Sequence, residues 1–186
     1  MKTFLTTLRL FAVLTIITGV LYPLAVTAIA RVSFPAQAKG SIVNNAAGVP
    51  TGSALLAQPT TSEHYFWPRP SAADYATIAS GASNLAPTSQ KLRDAITARA
   101  TALRTAHNLA PDAPVPADLV MTSGSGLDPH ISPAAAAFQA ARVATARNLS
   151  LAAVSAAIAA HTESGGLLGE DRVNILLLNL ALDKTN

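Results

Sequence analysis

Asp128 and His130 stand two residues apart, just behind Ser123 and Ser125. Serine, imidazole and carboxylate are the parts of a hydrolytic triad. Nothing in the sequence selects a nucleophile among the serines. Ser125 lacks the glycines two residues to either side that a nucleophile elbow needs. The run Ser123-Gly-Ser-Gly126 is not followed by the lysine of a phosphate-binding loop, so it reads as a turn requiring positive φ. His64, His107, His130 and His161 are scattered without the i, i+4 spacing of a helical metal site. Asp183-Lys184-Thr185 matches the start of a phosphoacceptor loop. It is followed only by Asn186, and no nucleotide domain exists to serve it. There is no cysteine, which excludes disulfides, thiolate ligands and a cysteine nucleophile. No catalytic residue and no metal ligand is expected. Trp67, Arg69, Asp128 and Arg142 are expected to fix loops.

These residues sit in a chain of 186, half of it hydrophobic. Between Arg9 and Arg31 lie 21 residues without a charge. A helix of that length spans about 31 Å, the thickness of a bilayer core, and in hydrocarbon only a helix satisfies its own backbone. A cleaved signal peptide is the rival: Lys2 and Arg9 form a positive start, and Ala28-Ile29-Ala30 resembles a cleavage site. The apolar run exceeds a signal core of about 7–15 residues, and Arg31 closes it as an interfacial anchor would. An anchor over 1–32 followed by a domain over 33–186 is therefore expected. Thr15, Gly19 and Pro23, with Thr27, recur every four residues, a spacing that lets helices approach closely. The anchor implies membrane lipid as a partner.

Without Lys2, Arg9 and Arg31, ten basic and ten acidic residues remain. The domain is formally neutral, which gives no basic face for nucleic acid. Gly52–Gln58 and His64–Trp67 read as short strands, and Pro68–Pro87 as a long loop. Thr88–Asn108 carries Leu92, Ile96 and Leu103 at helical spacing, with Thr88 or Ser89 as cap. Leu119–Met121 is a strand candidate. Ser132-Pro133 opens a helix, a capping hydroxyl before a proline. Its buried face is expected at Ala134, Phe138 and Ala141, with Thr145 continuing the stripe. Ser150 caps a second helix with Val154 and Ile158 inward, broken by Gly165-Gly166. Val173–Leu182 is an apolar run interrupted by Asn174 and Asn179; it reads as a buried strand or a short helix, and β-branched Val173 and Ile175 favour strand at its start. The fold class is α+β: one N-terminal transmembrane helix, then a mixed α/β domain.

The residues also resemble a family: the C subunit of the bacterial high-affinity potassium-transporting ATPase, the Kdp complex. The resemblance is carried by Thr18–Pro23, Gly52–Leu55, Tyr65–Ala72, Ser80–Leu85, Val115–Val120, Ser123–Pro133, Arg142–Arg147 and Val173–Asp183, in order along the chain. Ala57, Gly124 and Leu177 depart from it, where the family usually has Gly, Ala and an acidic residue. It implies a non-catalytic accessory subunit that stabilises a potassium import pump and raises its ATP affinity. The implied partners are a channel-like potassium-translocating subunit, a P-type ATP-hydrolysing subunit and a small single-helix subunit. It implies no cofactor of the chain's own. ATP is contacted, if at all, through the hydrolysing subunit, and Gln139 matches a glutamine proposed to meet nucleotide. The implied location is the bacterial inner membrane, with the N-terminus cytoplasmic and the domain extracytoplasmic. The motif residues it marks are Arg69, Ser71, Ser83, Asn84, Ser123, Gly126, Asp128, Arg142, Asn174 and Asn179. Two other classes stay open on the residues: a secreted or periplasmic hydrolase, and an anchored module binding lipid or a small molecule.

Overall fold

The computed structural model describes residues 2–184, in two compact units that divide at Ile42/Val43. The first is a helix over Lys2–Ser33, the one described helix long and apolar enough to cross a membrane. At about 1.5 Å per residue it is about 48 Å long, so the charge-free stretch from residue 10 to 30 is the part that fits a bilayer core of about 30 Å. It consists of α1 (Lys2–Ile16), a π-turn (Ile17–Leu21) and α2 (Tyr22–Ser33). Pro23 causes the π-turn. Proline has no N–H, and its ring crowds the carbonyl four residues back. Widening the preceding turn relieves this, and the Tyr22 N–H donates to Ile17, five residues back. A short helix, α3 (Pro35–Ala38), follows.

The second unit is mixed helix and strand. Its first strands, β1 (Ile42–Asn44) and β2 (Pro50–Ser53), form a hairpin whose turn is held by Asn45, its side-chain oxygen accepting from Ala47 and Val49. The strand expected over Gly52–Gln58 ends at Ser53, where the chain turns, Leu56 N–H donating back to the Ser53 carbonyl. Helix α4 (Gln90–Ala106) follows the long loop. Ser89 has the cap's backbone conformation, but its side chain makes no capping bond. Leu119–Met121 is not a strand: residues Ala117–Val120 form one short helix, α5, and Asp118 accepts from the Ser132 N–H.

Strand β3 (His130–Ile131) leads into α6 (Pro133–Arg147), and α7 (Leu151–Ala160) follows. Ser132 and Ser150 cap them as the sequence requires, accepting from Ala135 and Ala153. Asn148 closes α6 in the left-handed region, φ 54°, and the Leu149 N–H reaches back to Ala144. Helix α7 stops at Ala160, before the glycine pair. β4 (Thr162–Glu163) and β5 (Arg172–Asn174) follow, and α8 (Ile175–Asp183) ends the described chain. The sheet is antiparallel in the order β3-β5-β4, with Ile131 and Thr162 both opposite Val173. Phe66, Ala135, Val143, Val154, Val173, Leu178 and Leu182 form the centre of the core.

The buried face of α6 is not the one its largest apolar residue marks. Ala134, Ala141 and Thr145 are exposed and Phe138 is half-buried. Ala135, Ala136, Gln139, Ala140, Arg142, Val143, Ala144 and Arg147 point inward. Alanine on every side gives this helix little contrast, and three polar side chains decide its orientation.

Asn174 joins strand, helix and hairpin. Its side-chain oxygen accepts from the Leu177 N–H and caps α8; its amide donates to the Ala54 carbonyl at 2.8 Å. Asn174→Ala therefore loses a cap and leaves a carbonyl without its donor, at about 2 kcal/mol or more. Ser132→Ala loses a cap alone, at about 1 kcal/mol. Urea unfolding of the detergent-solubilised chain, followed by the fluorescence of Trp67, should rank the two in that order.

Candidate functional site

His64–Trp67 has the apolar composition of a strand but pairs with none. It is an irregular segment at the centre of the domain, with Phe66 fully buried. Buried backbone groups require hydrogen-bond partners, and here side chains of α6 and α8 supply them. Arg142 donates through Nη1 to the Glu63 carbonyl at 2.6 Å and through Nη2 to Tyr65 at 3.0 Å. Arg147 Nε donates to His64 at 2.6 Å. Asn179 accepts from the Phe66 N–H at 2.8 Å and donates to the Phe66 carbonyl at 3.1 Å. Gln139 does the same for Trp67, at 2.8 and 3.1 Å. Each amide acts on one residue as a neighbouring strand would.

The charges within this girdle are held by further contacts. Arg147 pairs with Asp183 at 2.7 Å, and Tyr65 Oη donates to the same carboxylate. The Arg142 guanidinium lies 4.0 Å from the centre of the Trp67 ring, a cation–π contact. Burial lowers its pKa to about 10, opposed by the charge of Glu63. Arg142 Nε donates to His107 Nε2 at 3.3 Å. Because arginine only donates, Nε2 is unprotonated and Nδ1 carries the hydrogen, which it gives to the Leu103 carbonyl at 2.8 Å.

A second group locks two loops together. Arg69 pairs with Asp128 at 3.0 Å, and the other oxygen of Asp128 accepts from the His130 N–H. Asp128 is thus committed to Arg69, with His130 Nδ1 at 3.6 Å. Ser71 accepts from Ala73 and Tyr75, and Ser123 from Gly126. Gly126 has φ 72°, and a Cβ there would meet the Gly81 carbonyl at 2.9 Å, so only glycine fits. Asn84, φ 51°, and Ser83 lie in the same long loop. Thr15, Gly19 and Pro23 belong to the other unit and lie on the exposed surface of its helix. Among the described residues, no three His, Asp or Glu side chains gather as metal ligands. Asp183 is engaged by Arg147 and Tyr65, and the threonine of its motif lies outside the described residues.

Comparison with known proteins identifies the architecture. The family model described as KdpC, K+-transporting ATPase, c chain, matches residues 4–184. The chain belongs to the KdpC family. The potassium-transporting ATPase KdpC subunit of Rhodospirillum rubrum is 54% identical over 188 residues, covering 99% of this chain and 96% of that one. The KdpC subunit of Sorangium cellulosum is 56% identical over 183 residues, covering 95% and 94%. That of Geobacter sulfurreducens is 47% identical over 188 residues, covering 98% of each. The resemblance drawn from the sequence is therefore one of family, and KdpC is the subunit of a potassium-transporting ATPase.

Within this KdpC chain Gln139 lies in the core of the domain. It has no exposed surface, and its oxygen and nitrogen are both engaged by Trp67, with Arg142 as a further donor at 2.9 Å. The sequence pointed to Arg142 and Asn179 but not to Arg147 or His107. No periodic signal marked Arg147, which lies five residues from Arg142 and about 140° round the helix from it.

Two outcomes follow for the girdle. Gln139→Leu leaves the Trp67 N–H and carbonyl buried without partners, so it should destabilise the chain by about 2–4 kcal/mol in urea unfolding. The second concerns pH. Burial, foremost, and the charge of Arg142 lower the His107 pKa below its ordinary 6.5, against the opposing bond to Leu103. The unfolded chain therefore binds this proton at higher pH than the folded chain. The contribution is intact above the ordinary imidazole pKa and is lost as pH falls through it, until the lower folded-state pKa is reached. Between about pH 7.5 and 5.5, the thermal midpoint of His107→Gln should fall less than that of the unsubstituted chain.

Proposed function

We propose that this KdpC chain is a non-catalytic accessory subunit that stabilises a potassium-importing P-type pump and raises the ATP affinity of its hydrolysing subunit. It sits in the bacterial inner membrane as a single-pass protein, with the N-terminus in the cytoplasm and the domain on the opposite side. Its partners are a channel-like potassium-translocating subunit, the ATP-hydrolysing subunit and a small single-helix subunit.

One observation carries this reading: the polar residues at the centre of the domain are spent on its own backbone. Gln139, Arg142, Arg147 and Asn179 hold residues 63–67. An effect on ATP affinity then requires no nucleotide contact. It requires that the chain bind one conformation of the pump better than another, because coupling between sites is a difference in affinity for states. The test is to purify the pump with and without this chain. Without it, recovery of the intact complex should fall and the KM for ATP should rise. Saturable binding of labelled ATP to the isolated chain, lost in Gln139→Asn without unfolding, would sink the indirect mechanism.

The anchor gives a second test. In the isolated chain a Cβ on Gly19 meets nothing within 4 Å. A larger side chain there costs nothing locally, so any effect reports a neighbour. With Thr15, Gly19 and Pro23 against a partner helix, Gly19→Leu should weaken assembly by about 1–3 kcal/mol, as overpacking does. Ile17→Leu and Val20→Leu should be tolerated. Equal recovery of all three in mild detergent would make the helix a tether only.

A further inference from the structure

The turn between β4 and β5 exposes apolar surface that the fold does not use. Leu167 and Leu168 are each 98% exposed, side by side at its tip. Single exposed leucines are ordinary on protein surfaces. Two adjacent ones presented whole to water on a built turn are a different matter, because such surface costs free energy until something covers it.

The turn is built. Gly169 N–H donates to the Gly165 carbonyl at 3.0 Å, closing the neck. Asp171 accepts from the Gly165 N–H and Ser164 from Gly166. A Cβ on Gly165 would lie 2.2 Å from the backbone of Gly169, so the neck closes only with glycine there. Gly166, φ 64°, turns the chain toward the tip. The leucines are therefore held out by a defined loop rather than by a floppy one.

The charge at the base selects the occupant. Glu163 is paired with Arg172 at 3.1 Å, and Glu170 and Asp171 lie exposed beside the leucines. The tip thus rises from a surface with excess negative charge. An anionic bilayer surface attracts lysine and arginine and repels such a base. An apolar socket rimmed by basic side chains fits it, with leucine anchors at the centre and charges at the rim.

We propose that the Leu167–Leu168 tip is a docking knob, seated in an apolar, basic-rimmed pocket on another protein subunit of the pump. This rests on the accessory-subunit reading given above. It predicts that Leu167→Ser with Leu168→Ser, in the full-length chain, lowers co-recovery with tagged pump subunits at least tenfold. The thermal midpoint of the chain should not change, since both side chains are already in water. Glu170→Lys should lower co-recovery several-fold, and less at high salt. A photoreactive residue at position 168 should give an adduct with a protein subunit. An adduct with lipid only, or none, overturns the inference, as does full co-recovery of the double serine variant. In those cases the unsubstituted chain still co-purifies and the accessory-subunit reading stands. If the unsubstituted chain itself fails to co-purify with any pump subunit, that reading fails and the docking knob with it.

Discussion

A stretch of backbone that enters the core at Phe66 with no strand beside it is the constraint on which the domain is built. The carbonyls of Glu63, His64, Tyr65, Phe66 and Trp67 all accept from side chains, and none from a β-ladder. Helices α6 and α8 meet the need with two amides and two guanidinium groups. The orientation of α6 follows, because Gln139, Arg142 and Arg147 must face inward together. So does the position of α8, which carries Asn179 and the Asp183 that balances Arg147. Leaving the Phe66 groups unpaired would cost more than an average hydrogen bond contributes, since the penalty is that of burying a bare polar group. The alanines of α6 serve the same end. Small side chains let the helix lie close enough to the segment for the polar ones to reach it.

Part of this was legible in the residues. Ser132-Pro133 and Ser150 mark helix starts through local chemistry, and local chemistry reads without tertiary knowledge. Of the β-branched pair that favoured strand, Val173 lies in β5, but Ile175 opens α8, where Asn174 caps it. His64–Trp67 was misread because an apolar run flanked by turn residues predicts extended chain but not what it pairs with. The face of α6 was misread for a related reason. Phe138 is the largest apolar residue of that helix, yet the contrast between its sides is set by what the polar residues bond. Those bonds join positions far apart in sequence, and no periodicity announces them. The resemblance to a family marked Arg142, Asn174 and Asn179. It left their roles open, and it offered Gln139 as a ligand contact where the structure uses it to hold Trp67.

Rigidity is not spread evenly. The girdle and the lock of Arg69, Asp128, Ser123 and Gly126 tie long loops to helices through short, paired bonds. The β4–β5 tip is different: its neck is fixed by glycines, but its leucines are almost fully exposed.

The π-turn of the first helix has a consequence of phase. Along a regular α-helix each residue advances about 100°, so a repeat of four slips by about 40° at every step. From Thr15 to Thr27 that slip would accumulate to about 120°, and the four small or imino residues would spiral a third of the way round the rod. A π-turn acts as one inserted residue, and it takes back about 100° of this winding. Thr15, Gly19, Pro23 and Thr27 are left nearly in line, along a straight seam parallel to the helix axis. Proline, usually counted as a break, is here what rephases the two halves into a single edge.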